Sequence, residues 1–303
     1  MHRIQVLEMA SEMFSNPRQA SGETKVAATK RLSQDEIDRF NAEGFLAIDE
    51  ITTPDEVTWI RGIYDRLFAE KVGWDKGDLF DFAGDTDDRE KARLPQLLNP
   101  SRYEPALTKT QFRANAEAMA KQLLGPRAYL IFEHAMMKPA HTGAETAWHQ
   151  DRAFYARYTN YRAVTIWMPL QPVNRENGCM EFIPASDKQE VVTHRHLNDD
   201  PRVHGLEAMG VDSSKAVLCT LPAGGASFHG DRTLHHAGPN LSSEPRRAYA
   251  LVFGVRDRQY TLHEDYPWNR GTTARDERAR KALGPVERSA AAVKEWAKAI
   301  LRH

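Results

Sequence analysis

From about residue 126 to residue 260 the chain consists of short β-prone runs, each closed by proline, glycine or asparagine. The runs are YLIFEHAMMK, RAVTIWMPLQPV, MEFIPAS, KAVLCTL, ASFHG and RRAYALVFGV. Short strands recurring with turn signals between them are the pattern of a sandwich or barrel.

The flanks read differently. Ser33 and Glu36 fit a capping box that opens a short helix to about Ala42, where Gly44 ends it, and Phe45–Ile48 follows as a strand. Thr53, Pro54 and Glu56 open a second helix, with Val57, Ile60, Tyr64, Leu67 and Phe68 on one face. A third covers about 107–124. Residues 71–105 are rich in Asp, Gly, Lys and Arg and read as a long loop, of the kind that forms a lid or lacks order. Residues 1–31 read as an irregular lead-in. Residues 274–302, with Val293, Trp296 and Ile300 at helical spacing, read as a terminal helix. The expectation is one domain over 32–303: a helical part and loop over 32–125, a β core over 126–260, and the C-terminal helix.

A net charge of −1 gives no global attraction for nucleic acid or an anionic membrane, so neither is expected as a partner. Cys179 and Cys219 are the only cysteines and form no CxxC pair, which fits a reducing compartment. No apolar stretch nears the roughly 18–20 residues of a membrane span. The opening MHRIQVLEMASEMF lacks the features of a signal peptide. The expected location is cytoplasmic.

Within the β-rich stretch, His149-Gln150-Asp151 places an imidazole and a carboxylate two residues apart. On a strand or strand end both point to one side, and Gln150 points to the other. Such a triplet is common by chance. Far downstream, however, stands His235, with Arg246 eleven residues beyond it. Two imidazoles and one carboxylate hold a divalent metal on one face and leave the other open, the arrangement of non-haem Fe(II) oxygenase sites. A basic residue beyond the second histidine can grip an acidic cosubstrate. His236 with Arg247 has the same spacing, and His229 is a further possible ligand. Strand alternation favours Arg246, which shares a face with Ala248 and Ala250; Arg247 shares one with Tyr249, Leu251 and Phe253. His194, His196 and His204 read as loop histidines, and His141 as a turn residue at the rim.

The segment Leu234–Ala248 resembles the distal motif of the phytanoyl-CoA dioxygenase-like family of Fe(II)/2-oxoglutarate oxygenases. That motif runs His-X-Ser-X-X-Asn-X-Ser/Thr, with Arg eleven residues after the histidine. His235, Asn240, Ser242 and Arg246 satisfy it, whereas a start at His236 puts Leu241 at the Asn position. Lys138-Pro139, Thr146–Asp151, Trp167–Leu170 and Glu176–Pro184 resemble the family's successive core motifs, and residues 32–68 its opening. The resemblance covers about 32–256.

It implies a mainly β fold with flanking helices, a double-stranded β-helix (cupin-like jelly roll) with the metal in its mouth. It implies Fe(II) on His149, Asp151 and His235, O2 as oxidant, and 2-oxoglutarate with its far carboxylate on Arg246. Trp167 and His134 are further candidates for the cosubstrate pocket. Hydroxylation of a small molecule, with succinate and CO2 as co-products, is the implied reaction; desaturation and ring formation are variants. Related halogenases carry Ala or Gly where Asp151 stands, which speaks against halogenation. Ala237 departs from the family's serine and leaves more of the carboxylate to Arg246. Pro184–Asp187 replaces the usual Pro-Gly-Ser-His.

Arg152, Phe154, Tyr155 and Arg157 follow the triplet and are the candidate substrate contacts. With the 71–105 segment they suit a small polar or anionic molecule, such as an amino-acid derivative or natural-product intermediate. Nothing selects an acyl-CoA. Two rival readings are a catalytically silent binding or scaffold protein, which has no need of all four site residues, and a zinc hydrolase, which leaves Arg246 without a task. The oligomeric state is open.

Overall fold

The computed structural model describes residues 26–86, 88–155, 161–256 and 266–284. Helix α1 (Gln34–Glu43) begins at the capping box of Ser33 and Glu36 and ends at Gly44, whose φ of 77° is the left-handed conformation that glycine adopts without steric cost. Strand β1 (Phe45–Ile48) follows. Helix α2 (Pro54–Ala69) is capped by Thr53 and buries Val57, Ile60, Tyr64, Leu67 and Phe68, the face that the spacing predicts. Next come β2 (Leu79–Asp81), β3 (Pro95–Leu98), α3 (Gln111–Leu124) and β4 (Tyr129–Lys138). Then follow β5 (Thr146–His149), β6 (Tyr161–Pro169), β7 (Met180–Phe182), β8 (His194–His196) and β9 (Leu206–Ala208). The chain continues through β10 (Val217–Cys219), β11 (Ala226–Gly230), β12 (His235–Ala237), β13 (Arg246–Arg256) and α4 (Ala274–Ala282). Val293, Trp296 and Ile300 lie outside the described residues, as does most of the lead-in.

Two antiparallel sheets form the core. The larger has the order β1-β11-β6-β13-β4-β3-β2 and the smaller β10-β7-β12-β5, with β8 and β9 as a separate hairpin. The core is the jelly roll that the resemblance implies. No helix among the described residues is long and apolar enough to cross a membrane.

The segment 71–105 departs from expectation. Two of its short apolar stretches, Leu79–Asp81 and Pro95–Leu98, extend the large sheet beyond β4, with Gln96 opposite Met136 and Leu98 opposite His134. The buried Asp81 carboxylate accepts from the amides of Ala83, Arg93 and Leu94 and draws the polar stretch between the strands back on itself. Charge density in the sequence hides this, because the strands are only three and four residues long.

Alternation along β13 divides the large sheet's two faces. Tyr249, Leu251 and Phe253 pack outward with Ile166, Phe228 and residues of α2 and α3 such as Ile60, Leu67 and Phe112. Each such fully buried side chain contributes roughly 1.5–3 kcal/mol. Arg246, Ala250 and Val252 line the interior cavity instead.

One polar cluster sits on the helix-covered side. Glu133, 2% exposed, accepts from the Ser101 amide at 3.1 Å and from the Ser101 and Tyr249 hydroxyls and the Arg113 guanidinium. It ties α3 and the segment after β3 to the central strands. Replacing it by alanine strands a partly buried cation and a buried phenol. Glu133→Ala is expected to lose roughly 3–5 kcal/mol in urea unfolding, and Glu133→Gln clearly less. Equal losses for the two would show that the pairing of charges is immaterial.

Candidate metal centre and cavity

Strands β5 and β12 pair antiparallel with His235 directly opposite His149, which brings two histidines 86 positions apart in sequence to ring centroids 4.1 Å from each other. Each Nδ1 lies against a backbone oxygen two residues earlier, Ala147 at 2.7 Å and Thr233 at 2.8 Å. A proton on Nδ1 leaves each Nε2 lone pair free toward the same space, the orientation a metal-bound imidazole needs. Asp151 starts a short 3-10 turn just past β5, and its Oδ1 lies 3.6 Å from His149 Nε2 and 3.5 Å from His235 Nε2. Thr165 on β6 donates its hydroxyl to Oδ2 at 2.6 Å. The three ligand atoms fall within 4.8 Å of one another.

Burial holds both imidazoles below their usual pKa, so they are neutral and available as ligands. For Asp151 burial acts in the opposite direction, but the surrounding histidines outweigh it and hold the carboxyl well below the usual range. Behind the triplet, the Gln150 side chain bridges the Arg232 carbonyl at 2.7 Å and the Val192 amide at 2.9 Å. Its own amide donates to His194 Nε2 at 3.2 Å. The turn between the two ligands is thus fixed from outside.

The turn from His235 to Arg246 is shaped by the other two motif residues. Asn240 donates to the carbonyls of Lys138, Pro139 and Glu244, and its oxygen accepts from the Ser242 amide and hydroxyl. Asn240 and Ser242 therefore fold the connection that returns the chain to β13 with Arg246 opposite Lys138. Lys138, 1% exposed, donates to the Ala237 and Gly238 carbonyls and joins the end of β12 to β4. Gly178 (φ 78°) lies against the same turn, where a Cβ would stand 2.3 Å from the Gly238 oxygen.

Arg246 is 3% exposed and its guanidinium lies over the Trp167 ring at 5.4 Å. Among the described residues no carboxylate pairs with it, and its Nε is buried without a hydrogen-bond partner. Burial pushes its pKa down to about 10. Arg247 points the other way, to Asp65 and the Pro245 carbonyl.

The ligand triad and Arg246 share one cavity of 350 Å³. Trp167, His134, Phe154 and Tyr155 line it. Arg152 does not: it is 1% exposed, lies 3.6 Å from Asp231 and faces the Tyr155 ring. Arg157 lies outside the described residues. His229 lines the cavity with Nε2 3.3 Å from Asp151 Oδ2, on the side away from the other two histidines' contacts with Oδ1.

His204 is no plain loop residue, for it forms part of the cavity wall beside Phe82 and Phe154. His196 is held by the Val203 and Trp268 carbonyls, His236 stacks on Trp148, and His141 is exposed beside the Leu241 carbonyl. Sequence reasoning missed Thr165, Gln96, Asn99 and Phe82. Thr165 was accessible to it, two residues before Trp167 on the same strand and so on the same face. Gln96, Asn99 and Phe82 give no local signal.

The model of the phytanoyl-CoA dioxygenase (PhyH) family matches residues 40–248. A probable alpha-ketoglutarate-dependent hypophosphite dioxygenase of Stutzerimonas stutzeri is 30% identical over 168 residues, 54% of this chain and 58% of that protein. The match thus spans little over half of that relative. A phytanoyl-CoA dioxygenase of Arabidopsis thaliana is 24% identical over 259 residues, 74% of this chain and 89% of the relative. Among solved structures, EvdO2 of Micromonospora carbonacea var. aurantiaca complexed with 2-oxoglutarate superposes with a TM-score of 0.65 at 32% identity, covering 78% of this chain and 96% of that one. With the family model matched over more than half its length, the chain belongs to the phytanoyl-CoA dioxygenase family.

Proposed function

We propose that this protein is an Fe(II)/2-oxoglutarate-dependent oxygenase that hydroxylates, or otherwise oxidises, a small organic substrate and releases succinate and CO2. One observation carries the reading: a buried arginine with no carboxylate partner among the described residues faces the cavity onto which the 2-His-1-carboxylate group opens. A guanidinium taken out of water costs several kcal/mol unless an anion meets it. A dicarboxylate that reaches from the metal to Arg246 answers that requirement, and a metal hydrolase would not.

The donor set fits iron: two neutral imidazoles and one carboxylate leave the remaining positions to exogenous ligands. Bound there, ferrous iron supplies O2-dependent oxidation coupled to decarboxylation of the 2-oxo acid. Every other part belongs to the chain. His149, Asp151 and His235 fix the position of the metal, and the Thr165 hydroxyl orients Asp151. Arg246, steadied over Trp167, sets the angle at which the diacid enters. Phe82 and Phe154, with ring centroids 6.5 and 5.7 Å from that of His149, exclude water from the reacting side. Asp151 fills the position that a halide would need, so oxygen insertion is the reading rather than halogenation. The cavity suits a small molecule, since 350 Å³ is near the lower end of ligand sites, roughly 300–1,000 Å³, and the cosubstrate takes part of it.

With Fe(II), ascorbate and O2, the protein is expected to convert 2-oxoglutarate to succinate, slowly even without substrate. His149→Ala and Asp151→Ala are expected to reduce this to background, and wild-type rates in either would refute the metal assignment. Thr165→Val removes only the bond to Asp151 Oδ2 and is expected to weaken Fe(II) affinity about 10–100-fold in equilibrium titrations.

Arg246→Ala is expected to raise KM for 2-oxoglutarate by about 100-fold, within the 2–5 kcal/mol of a truncated buried charge pair. Arg247→Ala, on the outer face, is expected to leave it within about twofold, in the range of a surface ion pair. The reverse ranking would transfer the anchor to Arg247.

A further inference from the structure

One part of the cavity wall carries polar groups that neither the metal ligands nor Arg246 employ. Gln96, Asn99, His134 and His204 line it, and among the described residues none of their side chains has a hydrogen-bond partner in the protein. Their positions are nonetheless fixed. Gln96 sits on β3 opposite Met136, and His134 on β4 opposite Leu98. Asn99 stands in a left-handed conformation (φ 49°), with its amide on the Glu133 carbonyl at 2.8 Å. His204 is set among Phe80, Phe82 and Phe154, at ring-centroid distances of 4.9, 6.0 and 5.6 Å. The amide of Gln96, on a residue 6% exposed, opens on the cavity and is free to meet a hydrogen-bonding occupant.

The chemical character of this wall is uncharged. Burial pushes the pKa of His134 down to about 4 and that of His204 to about 3, so both are neutral donor–acceptors near neutral pH. Among the described lining residues, Asp151 and Arg246 are the only carboxylate and the only guanidinium or ammonium group, and both already have tasks. Arg152, the cation nearest the triplet in sequence, is turned toward Asp231 and Tyr155. The rings of Phe82 and Phe154, 6.0 Å apart, supply an apolar surface beside His149. An apolar surface that shares one cavity with neutral amides and imidazoles matches a ligand with one flat C–H face and hydroxyls at its edges. Among the described lining residues, a phosphate, carboxylate or coenzyme A ester would find no counter-charge besides Arg246.

Building on the oxygenase reading, we propose that the substrate is an uncharged, hydroxyl-bearing ring compound of the glycoside or cyclic polyol class. It lies against Phe82 and Phe154 beside the metal, with its hydroxyls on Gln96, Asn99, His134 and His204. This narrows the polar or anionic class that the sequence alone suggests.

The test uses the full-length protein loaded anaerobically with Fe(II) and 2-oxoglutarate, whose joint binding produces a visible charge-transfer absorption. The probes are methyl pyranosides and neutral disaccharides on one side, and L-proline and decanoyl-CoA on the other. Binding is read as a saturable shift of that absorption and as a change in intrinsic fluorescence. Glycosides are expected to produce both, and Gln96→Leu and His204→Phe each to weaken them about tenfold or more while the absorption itself still forms. If only proline or the acyl-CoA binds, or no glycoside does, the substrate proposal is overturned and the oxygenase reading stands. If the absorption never forms with Fe(II) and 2-oxoglutarate, the oxygenase reading fails.

Discussion

The pairing of β5 with β12 is the interaction on which the site rests. It sets His149 against His235 by register alone, with no covalent link and only three or four residues in each strand. A slip of one residue would turn one imidazole to the outer face and bring His236 inward in place of His235. Short strands specify register weakly by themselves, so the surroundings supply it. β12 is also paired on its other side with β7, His235 facing Phe182. Lys138 holds the two carbonyls at its end, and the Asn240 side chain holds the turn beyond. The small backbone of Gly178 allows that turn to approach closely. Several family-motif residues outside the triad thus preserve one registration.

Two buried basic side chains sit opposite each other on β4 and β13, and they meet the cost of burial differently. Lys138 is satisfied within the protein, by carbonyl oxygens of the chain it supports. Arg246 is not; it has an aromatic face and nothing anionic among the described residues. A cation over an aromatic ring recovers about 0.5–2 kcal/mol, less than the several kcal/mol lost with its water. The protein therefore holds one arginine in a state that only a ligand relieves. On the proposed reading, that destabilisation supplies affinity for the diacid's carboxylate, and a place on a central strand limits how far the guanidinium can move to meet another anion.

How much of this could be read beforehand depended on whether a feature was local. The capping box of Ser33 and Glu36, the apolar stripe from Val57 to Phe68, and the alternation that separates Arg246 from Arg247 all lie within a few residues of chain. Each appears in the structure as the spacing predicts. The convergence of His149 and His235 is not local, and it was legible because a motif recorded the geometry. Segment 71–105 failed for the opposite reason: two strands of three and four residues lie among charges, and they pair with each other and, through β3, with the distant β4, a choice made by tertiary packing. His204 and Arg152 show the same limit from two sides. A histidine in a polar loop forms cavity wall, and an arginine beside a metal ligand turns away to a buried aspartate, because side-chain direction past the end of a strand follows no period.

That limit has a physical consequence for how such an enzyme is specified. Of the groups proposed to hold the metal and the diacid, His235, Thr165 and Arg246 stand on β12, β6 and β13, which are paired on both sides, while His149 stands on β5 at the edge of the small sheet and Asp151 in the turn beyond it. The groups around the reacting face stand elsewhere: Gln96 on β3 near the sheet's edge, Asn99 and Phe82 beside the short edge strands, and His204 in the connection before β9. One tie among these positions is the hydrogen bond from the Gly205 amide to the Phe82 carbonyl at 2.9 Å, where a Cβ on Gly205 would collide with that oxygen. An edge strand and a loop can change sequence without altering the register of the central ladders. On the proposed reading, the diacid anchor and one metal ligand are carried by central ladders, and the contacts to substrate by the sheet's far edge and a connecting loop.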